Sequence, residues 1–93
     1  MNELREISID EHRVSPLHYI NGERATSSES FEVFSPIDRR VLGNVALGLP
    51  EHVDAAIAAA QRAFPAWSAL SAATRRDYLH AFAAEIGKRK DAF

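Results

Sequence analysis

The sequence predicts strands first and helices second: two short β-hairpins followed by two α-helices. Three observations carry this. Three of the four glycines and three of the four prolines lie in residues 1–50, among short runs of β-branched and aromatic residues. Fourteen of the sixteen alanines lie in residues 51–93, and alanine is the strongest helix former. Within the first half stands Asn21-Gly22, the preferred pair for a two-residue type I′ turn, whose central residues both need positive φ.

The first hairpin is expected at Leu17-His18-Tyr19-Ile20, turning at Asn21-Gly22 into Glu23-Arg24. A polar connection, Thr26-Ser27-Ser28-Glu29-Ser30, leads to Phe31-Glu32-Val33-Phe34, which alternates as a strand does. Ser35-Pro36 should end that strand, because proline offers no donor and restricts the residue before it. Ile37-Asp38-Arg39-Arg40 makes the return, and residues 41–47 form the partner strand with Val41, Val45 and Leu47 on one face. Gly43 shares that face, where a glycine marks a bulge or a close backbone approach.

Gly48-Leu49-Pro50 breaks the chain and opens the first helix, with Pro50 at a position where a missing N–H costs little. Glu51 and Asp54 in the first turn suit the helix dipole. Val53, Ile57, Ala60 and Phe64 form one apolar stripe. Pro65 is expected to end this helix near Phe64, leaving Ala66 to Leu70 as a link that carries Trp67, a core anchor. Ser71 should cap a second helix running to about Lys90, with Leu79, Phe82, Ala83 and Ile86 on its apolar face, continued by Phe93. Glu85 and Arg89 are spaced as an i,i+4 ion pair. Asp91-Ala92-Phe93 holds no capping glycine, so the helix is expected to run off the end of the sequence.

Composition narrows the function classes. The 93 residues carry a formal charge of −2, 46% hydrophobic and 26% charged residues, the values of a globular chain. No basic stripe offers electrostatic capture of nucleic acid. The acidic, polar opening, Met1 to Arg13, lacks the pattern of a secretory signal, and no apolar run approaches a membrane span, so a cytoplasmic protein is expected. Without cysteine there is no disulfide framework, no thiolate ligand and no thiolate nucleophile in these residues.

Candidate chemistry is thin. His12, His18, His52 and His80 include no i,i+4 helical pair and match no metal motif, so no metal site is assigned. Ser27, Ser28 and Ser30 sit in a polar loop without a nucleophile elbow. Arg39-Arg40 could meet a phosphate, but adjacent arginines in a turn are usually solvated. Gly22, Gly43, Gly48 and Gly87 are scattered and build no phosphate loop. Read from its residues alone, the sequence has no catalytic, cofactor-binding or metal-binding residue.

The order of segments resembles the amino-terminal region of the aldehyde dehydrogenase superfamily. Tyr19-Ile20-Asn21-Gly22-Glu23 is similar to that family's early Y-I-N-G-E/K element, and Phe31-Glu32-Val33-Phe34-Ser35-Pro36 to its F-x-V-x-N-P stretch. Val41-Leu42-Gly43-Asn44-Val45 looks like V-I-G-x-V, and Val53 to Ala60 like V-D-x-A-V-x-A-A. Ala63-Phe64-Pro65-Ala66-Trp67 matches A-F-x-x-W, and Arg75 and Leu79 fit R-x-x-x-L. These elements, in the right order and spacing, make the resemblance specific from Tyr19 to Phe93. Two departures stand out: Ser35 where asparagine is usual, and Asp38-Arg39 where Thr-Gly is common.

The resemblance implies an α/β parent with a Rossmann-type cofactor domain. Residues 17–93 would be the opening segment of that NAD(P)-binding domain, incomplete here, and residues 1–16 a polar amino-terminal extension. It implies oxidation of an aldehyde to a carboxylic acid with NAD or NADP, through a cysteine thioester, in a homodimer or homotetramer. The residues for that chemistry lie outside these 93, so this chain alone is expected to be inactive and to bind no cofactor. Val53, Ile57, Phe64, Trp67, Leu79, Phe82 and Ile86 are expected to need a sheet built by later chain for much of their burial. The alternatives are a stand-alone α+β binding module, which could dimerise through its alanine-rich helix, or a truncated gene product without function.

Overall fold

The computed structural model describes residues 4–93. Six strands come first: β1 (Ile7–Ile9), β2 (His12–Val14), β3 (His18–Ile20), β4 (Glu23–Ala25), β5 (Ser30–Phe34) and β6 (Val41–Ala46). Two helices follow, α1 (Pro50–Ala69) and α2 (Ala72–Lys88), then a 3-10 turn over Lys90–Ala92. The strands form three separate antiparallel pairs, β1 with β2, β3 with β4 and β5 with β6. The chain divides into two compact units, Met1–Ala59 and Ala60–Phe93.

Three pairs stand where two hairpins were expected. The additional one lies in residues 1–16, the stretch expected as a polar extension. Its turn is made by Asp10 at φ 44° and Glu11 at φ 71°, the two positive values that a tight hairpin turn requires. Neither glycine nor asparagine announces it. The Asn21-Gly22 turn forms as expected, at φ 55° and 76°, and pairs His18 with Ala25 and Ile20 with Glu23.

The β5–β6 pair carries an irregularity. Val33 stands opposite Gly43, but Phe34 stands opposite Val41, so Leu42 is the extra residue of a bulge. The alternation expected over 41–47 is broken there. Gly43 meets the close approach its residue type suggested: a Cβ built on it would lie 2.6 Å from Cγ1 of Ile7. Ile7 is 7% exposed and Ala46 is 4% exposed, and these two form the buried apolar centre of the strand unit. Backbone bonds bring further segments to the end of β6, from Ala46 N–H to the Pro16 carbonyl and from Leu47 N–H to the Glu29 carbonyl, both 2.9 Å.

The connection between β5 and β6 is tied by its own polar groups. Ser35, buried at 8% exposure, accepts from Ile37 N–H at its Oγ (3.2 Å). Asp38 Oδ1 accepts from Arg40 N–H at 3.1 Å. Arg39 takes the left-handed conformation at φ 62°, the position where the departure from Thr-Gly falls.

Pro65 does not end the first helix. Alpha-helical structure continues through it to Ala69, so Trp67 lies in the helix rather than in a link. Proline cannot donate to the carbonyl one turn back. Here that carbonyl belongs to the exposed Gln61, where water can meet it, so the loss weakens the helix without breaking it. The second helix begins as expected: Ser71 Oγ accepts from Thr74 N–H at 3.1 Å, satisfying one orphan donor of the first turn.

The end of α2 differs from expectation. The helix stops at Lys88, and Arg89, at φ −115° and ψ 22°, leaves helical geometry before the 3-10 turn. Consequently Glu85 pairs with Lys88 at 3.0 Å rather than with Arg89. Neither helix carries a buried residue. The apolar positions Val53, Ile57, Phe64, Trp67, Leu79, Phe82 and Ile86 are all exposed, Phe64 and Phe82 each at 65%.

Candidate functional site

The strongest polar constellation joins residues that sequence spacing did not connect. His18 on β3 and His52 in the first turn of α1 lie with ring centroids 4.5 Å apart and planes tilted by 47°. Both are half-buried. Leu49 is the residue before the helix, and its carbonyl accepts from His52 N–H (2.9 Å) and Val53 N–H (3.3 Å). Leu49 has no side-chain acceptor of its own. Its N–H instead donates to Nδ1 of His52 at 2.9 Å, the reach-back that Glu or Gln supplies in a capping box. The far nitrogen, Nε2, lies 3.1 Å from the Thr26 carbonyl. Nε2 of His18 lies 3.3 Å from the Leu47 carbonyl.

The other candidates are dispersed. His12 and His80 are exposed. Among the described residues no three His, Cys, Asp or Glu side chains come together as a metal site. Ser27 Oγ accepts from Glu29 N–H within its loop (3.2 Å), a turn-forming role. Arg40 lies 3.8 Å from Asp38, so one of the paired arginines already faces a carboxylate. Trp67 and Tyr78 lie with ring centroids 5.7 Å apart and planes tilted by 51°.

In the second unit, Phe82, Ile86 and Phe93, with Glu85 and Arg89, line an open and mostly apolar groove of about 310 Å³. Arg75 of α2 turns back on the end of α1. Its guanidinium donates to the carbonyls of Leu70 and Ser68, the latter at 3.4 Å. A cation suits a helix C-terminus.

These residues do not fit a dinucleotide. Pyrophosphate is held by free N–H groups at a glycine-rich helix start. Here Pro50 has no N–H, the Leu49 N–H is taken by His52, and Glu51 places a carboxylate in the first turn. The groove along α2 offers apolar walls and no converging donors. What the described residues define is a scaffold of hairpins and helices whose large apolar side chains are mostly exposed.

Comparison with known proteins assigns that scaffold. The sequence pattern of the aldehyde dehydrogenase family matches residues 23–93, and the chain belongs to this family. It is 40% identical over 63 residues to the NADP-dependent glyceraldehyde-3-phosphate dehydrogenase of Streptococcus equinus, covering 68% of this chain and 13% of that protein. It is 39% identical over 69 residues to the vanillin dehydrogenase of Pseudomonas fluorescens, covering 74% and 14%. With the chloroplastic betaine aldehyde dehydrogenase of Beta vulgaris it shares 33% over 82 residues, covering 81% and 16%. The matched part of the chain therefore spans between 13% and 16% of the length of these relatives. No solved structure matches the chain. Among the described residues no helix is long and apolar enough to cross a membrane.

Proposed function

We propose that these 93 residues are the opening segment of an NAD(P)+-dependent aldehyde dehydrogenase, and that their part in it is architectural. The observation that carries this reading is the family match over 23–93 combined with coverage of no more than 16% of the relatives' length. The exposed apolar faces of both helices support it. They are regular enough to be packing surfaces, yet none of their residues is buried. In the whole protein, residues 17–93 would lie in a Rossmann-like cofactor domain, with the two helices against its sheet.

Aldehyde oxidation in this family is proposed to run through a cysteine thiolate. The sequence has no cysteine, and the described donors do not fit the nicotinamide dinucleotide, so the 93 residues alone are proposed to be inactive. Three relatives bear the names of dehydrogenases for glyceraldehyde 3-phosphate, vanillin and betaine aldehyde. This spread leaves the substrate class at aldehydes in general. The test expresses the 93 residues alone and within a chain of the relatives' length. Aldehyde-dependent reduction of NAD+ or NADP+ by the long chain and not by the short one is expected. Turnover by the 93 residues alone would overturn the reading.

A further inference from the structure

We propose that His52 is a pH-sensitive cap: its neutral ring closes the start of α1 through Leu49 and ties it to the segment after β4 through Thr26, and a proton on that ring breaks the bond to Leu49. Hydrogen-bond directions determine the tautomer. The Leu49 N–H can only donate, so Nδ1 of His52, 2.9 Å away, must accept and carry no proton. The Thr26 carbonyl can only accept, so Nε2, at 3.1 Å, must carry one. Both nitrogens are thus committed, in the single neutral form that satisfies both partners. Protonation at Nδ1 turns its lone pair into a donor facing another donor. It also sets a positive charge in the first turn of a helix, where the dipole opposes it.

His18 behaves differently. Its Nε2 faces the Leu47 carbonyl at 3.3 Å, a bond that a neutral ring with hydrogen on Nε2 and a charged ring both donate. A proton on His18 therefore costs no hydrogen bond, while a proton on His52 costs one. The titratable and charged groups near His52 come from three segments. From β3 comes His18 itself, at 4.5 Å between centroids, which when charged repels a second proton. The segment after β4 contributes the neutral Thr26 carbonyl, with Glu29 exposed three residues on. On α1 itself, Glu51 in the first turn and Asp54 just beyond it are exposed. Among the described residues neither histidine is ion-paired; the ion pairs there involve only Arg and Lys. Acid therefore acts on one joint, the bond from the Leu49 amide to His52 that closes the start of α1, while the bond to Thr26 is kept.

The experiment follows the imidazole nitrogens and the Leu49 amide of the full chain by NMR from about pH 7.5 to about pH 5, the span over which histidine charges. At the upper end His52 is expected with hydrogen on Nε2 and none on Nδ1. The Leu49 amide proton should then move upfield in step with the charging of His52. In H52Q the side-chain carbonyl can still cap but cannot titrate, and that movement should vanish. In H18Q it should persist. A His52 ring carrying its hydrogen on Nδ1 at pH 7.5 would overturn the proposal without any variant. So would a Leu49 titration that survives in H52Q.

Discussion

At the residue scale, two positions stand where a glycine is, or is wanted, for opposite reasons. Arg39 holds φ 62° at a turn with a side chain attached, a conformation that costs an ordinary residue about 1–2 kcal/mol. R39G is therefore expected to raise stability by about 0.5–1 kcal/mol, the greater freedom of the unfolded chain offsetting part of the gain; denaturant unfolding checks it. Gly43 is the converse. An added methyl would lie 2.6 Å from Cγ1 of Ile7, in the most buried part of the strand unit. G43A should cost about 1–3 kcal/mol by overpacking, and a midpoint within error of the parent would show that Ile7 moves aside freely. The sequence marks both residues, Gly43 by its place on a strand face and Arg39 by its departure from the family pattern. It does not mark the neighbour that makes Gly43 necessary, since Ile7 is 36 positions away.

At the element scale, legibility followed the strength of local chemistry. Asn21-Gly22 and Ser71 each do in the structure what their types predict, because a turn and a cap are made by a few adjacent atoms. The Asp10-Glu11 turn was missed because acidic residues enter the left-handed region less readily than asparagine or glycine and so give no signal. Pro65 misled for the opposite reason: a strong breaker signal was outweighed by a helix that continues to Ala69. P65A should restore the missing donor and stabilise α1 by up to about 3 kcal/mol, visible as increased helical circular dichroism. S71A should cost α2 about 1 kcal/mol through loss of the bond to Thr74. The His52 cap was legible in principle, since a side-chain acceptor at the third helical position is a capping signal. Its partner His18 was not, because strand and helix are brought together only by the fold.

At the scale of the whole molecule, apolar periodicity marks helix positions that the described residues leave uncovered. Val53, Ile57, Phe64, Leu79, Phe82 and Ile86 fall on the expected helix faces and remain exposed. Each would contribute about 1.5–3 kcal/mol if fully covered, a gain these residues do not make among themselves. The 93 residues alone should bind an apolar fluorescent dye and melt broadly, whereas a chain of the relatives' length should do neither. A sharp cooperative transition above about 60 °C in the short chain would contradict this. The family's dehydrogenase character was legible only through resemblance, because the sequence's own motifs point to no reaction.

The two ends of α1 are fastened by different bases. Histidine holds the front through Leu49 and Thr26, and the guanidinium of Arg75 holds the rear through Ser68 and Leu70. Arginine stays charged at any pH a protein survives, so acidification loosens one end and leaves the other fixed. The helix would fray from its amino terminus alone, in a direction set by which side chain can gain a proton.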